Sequence, residues 1–392
     1  MPNSCKILYI SPFFFPELIS TGKYNTYLVK ALADSGCELE VICSHPLYPK
    51  WKPEVSHETL DNVKIIRGGQ FVRYPKKPLI RRFILELWML FFVFRHSVFS
   101  RKQYDSIIFV FPPNFVALLI PLLRSKKTRV IGIVHDIQGV MAKPEMGLVS
   151  SIIMKGIHLI EGYSYKACND LIFLSENMKS AARELYSISE ENTIVRYPFV
   201  TIDINNSEHR LDHIFSGVES SVVYSGALGE KQAPDKLIKL FIKLLENDHQ
   251  VHAFVFSQGI VFDRIKSQYT HERLHFYPLV DEDALPELIA RSTIQVIPQD
   301  MGTSGGAFPS KLPNILAAGT KLFCITDKGG EIDVLLRDYS RSVLCYSWEN
   351  NIEESLLEFL HADVHDLSDS DKVILEKFSL PSLVESIIEV SK

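Results

Sequence analysis

Residues 293–325 read TIQVIPQDMGTSGGAFPSKLPNILAAGTKLFCI and contain the pattern from which the fold class is predicted. The apolar runs at the two ends, TIQVIP and TKLFCI, have the length of β-strands. Between them, a glycine-rich segment leads into a short apolar helix with Ser310 as its predicted N-cap, Pro313 in its first turn and Gly319 after its last turn. A strand, a helix and a second strand in this order predict a βαβ unit of a parallel sheet.

The same alternation of apolar runs and helix-length segments extends over the rest of the chain. Predicted strands of the first half are KILYIS (6–11), ELEVIC (38–43), NVKIIR (62–67), SIIFVF (106–111), RVIGIV (129–134) and DLIFLS (170–175). Those of the second half are SVVYSG (221–226), VHAFVFS (251–257), RLHFYP (273–278), TIQVIP (293–298), TKLFCI (320–325) and RSVLCY (341–346). The pattern predicts an α/β protein with two doubly wound, Rossmann-like domains.

A polar stretch without periodicity, VTIDINNSEHRLDHIFSGVESS, follows TIVRYP (193–198) and marks the predicted domain boundary. We therefore predict an N-terminal domain over 1–200 and a C-terminal domain over 201–370, facing each other across a central cleft. The segment 371–392 is expected to form a closing helix. A length of 392 residues agrees with two domains, because one hydrophobic core rarely organises so long a chain.

Composition narrows the class of protein. Hydrophobic residues make up 46% of the chain and charged residues 23%, which is typical of a folded globular protein. The net charge of -5 argues against a nucleic-acid binder. The six cysteines are scattered without CxxC spacing, so we expect a reducing cytoplasm and no structural zinc. The N-terminus enters a strand directly, and no secretory signal is predicted.

The segment RRFILELWMLFFVFRHSVFSRK (81–102) is the longest apolar run. Glu86, Arg95 and His96 interrupt it, so it is not predicted to span a membrane. Basic residues lie on both sides of it, beginning at Lys76, and such flanks suit a helix resting on an anionic membrane surface. The alternative is a buried helix of the first domain, and both roles can apply to different faces.

The glycine-rich loop after TIQVIP lies at the carboxyl edge of the second sheet, where ligands of such sheets bind. Gly302, Gly305 and Gly306 allow a ligand to approach the backbone, and the following helix offers unpaired N–H groups. Lys311 adds a positive charge. Together these features predict a phosphate-binding loop. The alternative is a flexible loop whose lysine is only solvated.

A second glycine-lysine loop favours the phosphate interpretation. YSGALGEKQ places Gly226, Gly229 and Lys231 directly after the first strand of the second domain, on the same edge of the sheet. Two loops that each carry one lysine could hold a diphosphate from both sides.

These segments resemble glycosyltransferase family 4, the retaining enzymes with the GT-B fold, and especially the bacterial capsule, colanic-acid and O-antigen members. The resemblance rests on YSGALGEKQ (224–232), PSKLPNILAAG (309–319), ISPFFFPELISTGKY (10–24) and HPLYPKW (45–51), which together span nearly the whole chain.

The resemblance implies that Lys231 and Lys311 neutralise the diphosphate of the donor and act in catalysis. Asn314 stands where the family often has a ribose-binding glutamate, and Gly306 stands where it has a second glutamate. Contacts to the donor sugar are then expected from backbone groups of Gly305, Gly306 and Ala307. The predicted donor-binding set is completed by Gly22, Lys23, Gly226, Gly229, Ser310 and Leu312. The resemblance also implies that the closing helix of 371–392 crosses back onto the N-terminal domain.

The first domain is expected to supply the acceptor chemistry. His135 and Asp136 follow the predicted strand RVIGIV, and a general base must reach the acceptor hydroxyl. Both are candidate catalytic residues, and Asp136 is also a candidate acceptor contact. The alternative is a loop pair that caps the next helix. Glu17 is a second candidate acceptor contact; for Glu17 and Lys23 the alternative is a solvated surface position.

The sequence Asp281–Asp283, DED, matches the DxD pattern of metal-dependent glycosyltransferases. Because Asp281 precedes ALPELIARS, it is interpreted as an N-cap with an acidic first turn, and no metal is expected.

The predicted function is therefore a retaining, metal-independent hexosyl- or N-acetylhexosaminyltransferase. Its expected donor is a nucleoside-diphosphate sugar, with UDP favoured, and its expected acceptor is a polyprenyl-diphosphate-linked glycan at the inner face of the cytoplasmic membrane. The alternatives are a sugar-nucleotide epimerase of the same architecture and a catalytically silent membrane-surface protein that binds nucleotide sugars.

Overall fold

The computed structural model describes residues 5–17, 19–98, 102–139, 148–203, 209–303, 308–349, 351–363 and 366–391. By its internal contacts the chain divides into two compact units. The first comprises Met1–Pro198 together with Ser379–Lys392, and the second comprises Phe199–Phe378. The chain therefore enters the second unit once and leaves it once.

A parallel sheet forms the centre of the first unit, and its strands are nearly continuous apolar runs because both faces of the sheet are buried. The strands are β1 (Lys6–Ile10), β2 (Glu38–Ser44), β3 (Val63–Gly68), β4 (Ser106–Phe111), β5 (Arg129–Val134), β6 (Asp170–Phe173) and β7 (Thr193–Val195). Within the described ranges their order is β3-β2-β1-β4-β5-β6-β7. The direction of winding reverses between β1 and β4, which is the switch point of this sheet.

Helices connect these strands. They are α1 (Ser20–Asp34), α2 (Pro78–Val93), α3 (Ile120–Leu123), α4 (Leu148–Ala167), α5 (Glu176–Tyr186) and, after the second unit, α14 (Leu380–Val390). Helix α14 contacts α1. The Nε of Arg196 also donates a hydrogen bond to the Oγ of Ser386 in α14 (2.9 Å), so the C-terminal segment is tied to the first unit.

Helix α2 has two different apolar faces. Leu85, Met89 and Val93 are buried, as the core interpretation of this segment predicts. Phe83 and Phe91 are exposed over 51% and 67% of their surface, so a second apolar face is left uncovered. No helix in the described part of the chain is both long and apolar enough to cross a bilayer. Arg101, at the end of the same sequence segment, lies outside the described residues.

The second unit contains its own parallel sheet. Its strands are β8 (Ser220–Ser225), β9 (Val251–Phe256), β10 (Leu274–Tyr277), β11 (Ile294–Pro298), β12 (Lys321–Ile325) and β13 (Ser342–Cys345). Their order in the described residues is β10-β9-β8-β11-β12-β13, with the winding reversed between β8 and β11. At the ends of the unit, the backbone N–H of Val200 donates to the carbonyl oxygen of Phe378 (3.4 Å).

The helices of the second unit cover both faces of its sheet. They are α6 (Asp212–Phe215), α7 (Pro234–Asn247), α8 (Ile260–Gln268), α9 (Leu285–Arg291), α10 (Leu312–Ala317), α11 (Glu331–Leu336), α12 (Ile352–His361) and α13 (Asp369–Glu376). Two parallel, doubly wound sheets with helices between most consecutive strands confirm the predicted α/β class with two Rossmann-like domains.

Candidate active site

A cavity of about 250 Å³ lies in the second unit at the carboxyl ends of β8 and β11, the switch point of the sheet. It is lined by Tyr224, Gly226, Ala227, Lys231, Gln232, Ile297, Pro298, Gln299, Thr303, Phe308, Pro309, Ser310 and Lys311. The structure therefore brings the two predicted glycine-lysine loops to one cavity, with a lysine from each.

Lys311 lies at the inner side of this cavity. Its Nζ donates to the carbonyl oxygens of Ser225 (3.2 Å) and Val296 (3.3 Å) and lies 3.9 Å from the centre of the Tyr224 ring. Burial lowers the pKa of Lys311 to about 7, because a charged ammonium loses most of its hydration there. An anion in the cavity would favour the charged form and raise this pKa again.

Lys231 belongs to a 3₁₀ turn, Glu230–Gln232, and its side chain is exposed at the cavity. The carbonyl oxygen of Lys231 accepts a hydrogen bond from the backbone N–H of Asp300 (2.7 Å), which lies just after β11. This bond joins the two loops. The backbone N–H of Gly229 donates to the Oε1 of Gln232 (3.0 Å), so it is already used within the turn rather than offered to a ligand.

Gly226 has a backbone conformation that favours glycine. Its φ is +134°, in the region that residues with a Cβ rarely adopt. A Cβ at this position would lie 3.9 Å from the Cδ of Lys311, in ordinary contact. The chain can therefore turn at Gly226, directly after β8, and no side chain at this position lies over Lys311.

The start of α10 differs from the prediction. Ser310 was the predicted N-cap, but the helix begins at Leu312, Lys311 takes the preceding position, and no side chain caps the helix. Ser310 is exposed at the cavity instead. The predicted end is correct, because Gly319 has a φ of +67° and its N–H donates to the carbonyl of Leu316 (3.0 Å).

Leu312 and Asn314, two of the predicted donor-binding residues, both have contacts within the second unit. The Leu312 side chain is fully buried, and its N–H donates to the carbonyl of Pro309 (3.1 Å). The Oδ1 of Asn314 accepts from the N–H of Thr201 (2.8 Å), and its Nδ2 donates to the Oγ1 of Thr201 (3.0 Å). Ribose binding by Asn314 would require this pair to open. Gly305, Gly306 and Ala307 lie outside the described residues.

In the first unit, Glu17 is buried rather than solvated. Its carboxylate accepts hydrogen bonds from the backbone N–H groups of Leu47 (2.7 Å) and Tyr48 (3.2 Å), so it holds the loop after β2. A Cβ at Gly22 would lie 2.8 Å from the Cβ of Glu17. Close packing against Glu17 is therefore one reason for a glycine at position 22, which was predicted to allow the donor to approach. Lys23 is half-buried in α1.

His135 follows β5 and packs edge-to-face on Tyr24, with 4.7 Å between ring centres. Among the residues that the structure describes, its Nε2 has no hydrogen-bond partner. Burial lowers the pKa of His135 to about 4, so the imidazole is neutral at pH 7. Asp136 is half-buried, and its charge interacts with Arg82.

Glu161 holds the loop that carries these two residues, and the sequence interpretation missed it. The carboxylate is fully buried and accepts from the backbone N–H groups of Gln138 (2.9 Å) and Gly139 (2.9 Å) and from the hydroxyl of Tyr165 (3.1 Å). A lone glutamate within the apolar stretch of α4 was the available signal, since a buried charge requires partners.

The DED segment does not form a cluster of metal ligands among the described residues. Asp281 precedes a short 3₁₀ turn, Glu282–Ala284, without capping it through its side chain. The described residues do contain one group of three potential ligands, His209, Asp212 and Glu287. Arg291 already forms ion pairs with both carboxylates of this group.

Comparisons with known proteins agree with the predicted family resemblance and with the fold. The family model described as Glycosyltransferase Family 4 matches residues 21–204. The Escherichia coli (strain K12) protein named "Putative colanic acid biosynthesis glycosyl transferase WcaI" is 24% identical over 367 residues, which cover 88% of this chain and 89% of that protein.

Two solved structures extend the comparison to both units. WaaG, a glycosyltransferase involved in lipopolysaccharide biosynthesis, is 13% identical with a TM-score of 0.66 and coverage of 98% and 99% of the two chains. HepE of Anabaena, solved in complex with UDP and glucose, is 14% identical with a TM-score of 0.64 and coverage of 98% of each chain.

The two parallel, doubly wound sheets share the GT-B fold of these solved structures, and the cavity at the switch point of the second sheet carries one lysine from each of two loops. The match over residues 21–204 lies almost entirely in the first unit, and it confirms the predicted resemblance to glycosyltransferase family 4.

Proposed function

We propose that this glycosyltransferase acts in polysaccharide biosynthesis, and that it moves a sugar with retention of configuration from a nucleoside-diphosphate sugar to a lipid-linked glycan. The observation that carries the proposal is the convergence of Lys231 and Lys311 on one cavity at the switch point of the second sheet. The names of WcaI and WaaG, which refer to colanic acid and lipopolysaccharide, support the product class.

The chemistry follows from the bond that breaks. The bond between the anomeric carbon and the β-phosphate oxygen breaks, and its electron pair leaves with the nucleoside diphosphate. The acceptor oxygen bonds to the anomeric carbon and releases its proton. Negative charge therefore grows on the diphosphate in the transition state, where preorganised positive groups stabilise it. Lys231 and Lys311 are the cations that the cavity offers for this purpose.

We further propose that the reaction needs no divalent cation, because two lysines can supply the charge that a metal would provide. UDP is the favoured nucleotide, and the UDP complex of HepE supports this choice. His135 and Asp136 of the first unit remain the candidates for activating the acceptor hydroxyl. We place the enzyme on the inner face of the cytoplasmic membrane, where the exposed apolar face of α2 could rest.

A thermal-shift screen tests the donor. The purified protein is heated with UDP, GDP, CDP and their sugar conjugates, with and without magnesium, beside the variant Lys231→Ala/Lys311→Ala. A ligand at 100 times its Kd adds about 2.7 kcal/mol to stability. We expect a shift from the uridine nucleotides that magnesium does not change and that the double variant loses. No shift from any nucleotide would contradict the proposal, and activity abolished by EDTA and restored by manganese would contradict the metal-independent mechanism.

A further inference from the structure

A second cavity, of about 350 Å³, lies in the first unit between α2, the turn Phe115–Leu119 and α4. Its walls are formed by the apolar side chains of Ile80, Phe83, Phe115, Ile157 and Ile160, together with the backbone at Gly156. The surface that it offers to a ligand is almost entirely apolar. A hydrocarbon chain is the ligand class that such a wall favours.

Polar side chains form the inner end of this cavity. Asn114 is 2% exposed, and its Oδ1 has no hydrogen-bond partner among the described residues. Its Nδ2 (2.9 Å) and the Nε of Arg82 (3.3 Å) both donate to the side-chain oxygen of Gln138 when that amide is oriented to satisfy them. Glu86 is buried and accepts from the N–H of Phe115 (2.8 Å). A buried acceptor without a partner is costly, so an ordered water is expected to donate to Asn114 at this end of the cavity.

The surface around the cavity is apolar as well. Phe83 and Phe91 on α2 are exposed over 51% and 67% of their surface, and Leu159 on α4 over 75%. A cluster of exposed apolar side chains marks an interaction surface, and basic residues beside it favour an anionic membrane. Lys77 and Arg81 supply such charges at the start of α2. A chain from a bilayer could therefore enter the cavity without first crossing water.

The inner end of the cavity adjoins the loop of the candidate acceptor residues. Gln138 follows His135 by three positions, and Glu161 fixes the backbone of Gln138 and Gly139. Arg82 interacts electrostatically with Asp136. A lipid chain bound here would thus bring its head group close to this loop, which is expected of a substrate and is not required of a structural lipid.

We propose that this cavity binds the first isoprenoid units of a polyprenyl-diphosphate-linked acceptor. The inference rests on the proposed function for the identity of the lipid. The apolar walls hold the chain, and its diphosphate lies at the inner end, beside Arg82 and the loop of the candidate acceptor residues. The basic residues at the start of α2 face the anionic membrane. The cavity then selects acceptors by their lipid, separately from the sugar that they carry.

Substitutions at Gly156 test this site with little risk to folding. A Cβ at Gly156 would meet no atom within 4 Å. Because the residue lies within α4, replacing it by alanine or leucine also improves helix propensity. Gly156→Leu fills the cavity, and Gly156→Ala is the matched control that shares the gain in propensity but adds only a methyl group.

The full-length protein and both variants are titrated with farnesyl diphosphate in excess inorganic diphosphate, which occupies sites that recognise the head group alone. We expect binding to the wild-type protein, a similar affinity for Gly156→Ala, and a loss of at least tenfold for Gly156→Leu. No binding to the wild type, or equal binding to all three proteins, overturns the proposal. The proposal is also overturned if dihexanoyl phosphatidylglycerol binds as strongly as farnesyl diphosphate and Gly156→Leu weakens its binding in the same way. The cavity would then bind membrane lipids in general.

UDP-induced thermal shifts of the same three proteins separate this inference from the proposed function. The UDP cavity lies in the second unit, so the shift should be the same in all three. Farnesyl diphosphate binding that Gly156→Leu abolishes, without any UDP shift, would support the lipid cavity and refute the donor assignment. If UDP causes a thermal shift and Gly156→Leu does not change farnesyl diphosphate binding, the donor assignment is supported and the lipid cavity is refuted.

Discussion

The Nζ of Lys311 lies 3.2 Å from the carbonyl oxygen of Ser225, the last residue of β8. The lysine is thus held by the backbone of the strand whose carboxyl end opens into the cavity. Both hydrogen-bond acceptors of the Nζ are neutral backbone carbonyls, so neither of them neutralises a charge on the lysine. An arriving diphosphate would meet an amino group that is already in position and that it favours in the charged form.

Replacing Lys311 by alanine should lower kcat/KM. The loss of one preorganised charge at a developing anion is expected to raise the activation free energy by about 2–4 kcal/mol. Steady-state kinetics with the donor found by thermal shift gives this value. Lys239→Ala, at an exposed position of α7, is the matched control and should leave kcat/KM unchanged. A similar loss in both variants would point to a general effect of net charge.

Above pH 7, binding of the donor should be accompanied by uptake of a proton from solvent by the Lys311 side chain. Burial lowers the pKa of free Lys311 to about 7, so at pH 8 the side chain is mostly neutral. A bound diphosphate favours the ammonium and raises the pKa, so UDP should bind with uptake of about one proton at pH 8 and lose affinity as the pH rises. Calorimetric titration in two buffers of different ionisation enthalpy measures this uptake. Lys311→Met should abolish it; uptake that persists would assign the proton to another group.

Asn314→Ala should affect stability more than donor binding. Loss of the paired hydrogen bonds to Thr201 should lower the free energy of unfolding by about 1–3 kcal/mol. Urea denaturation measures this change, and a double-mutant cycle with Thr201→Val should show coupling between the two residues. The UDP dissociation constant should stay within about threefold, a difference below 1 kcal/mol. A tenfold weaker Kd without loss of stability would instead support the predicted ribose contact.

Phe91→Asp should weaken binding to vesicles of phosphatidylglycerol by at least about tenfold, because burying one phenylalanine contributes about 1.5–3 kcal/mol. Co-sedimentation with vesicles measures the change. Val373→Asp replaces an apolar residue of the second unit that is 57% exposed and should have no effect. Vesicle binding that is equally sensitive to both variants, or to neither, would argue against α2 as the membrane face.

The predictability of this fold has a physical basis. SIIFVF (106–111) and RVIGIV (129–134) coincide with β4 and β5, because strands buried on both faces must be apolar throughout. The meeting of Lys231 and Lys311 was also predictable. Both follow strands of one parallel sheet, and the carboxyl ends of such strands share an edge.

Contacts between distant residues were not predictable. Asn314 pairs with Thr201 and Glu161 binds the backbone of Gln138 and Gly139, and neither sequence separation nor local pattern indicates such partners. Ser310 was predicted as an N-cap from residue type alone, yet the helix begins two residues later. Residue type indicates which side chains can cap a helix, whereas the geometry of the preceding loop determines at which residue the helix begins.

The hydrogen bond between Val200 and Phe378 has an evolutionary consequence. The second unit is one uninterrupted segment whose two ends meet, so it has the form of a cassette inserted into its host chain. Recombination at these two positions could exchange the whole cassette between homologues while leaving the host sheet intact. New pairings of donor and acceptor specificity could then arise by shuffling, without point mutations in either site.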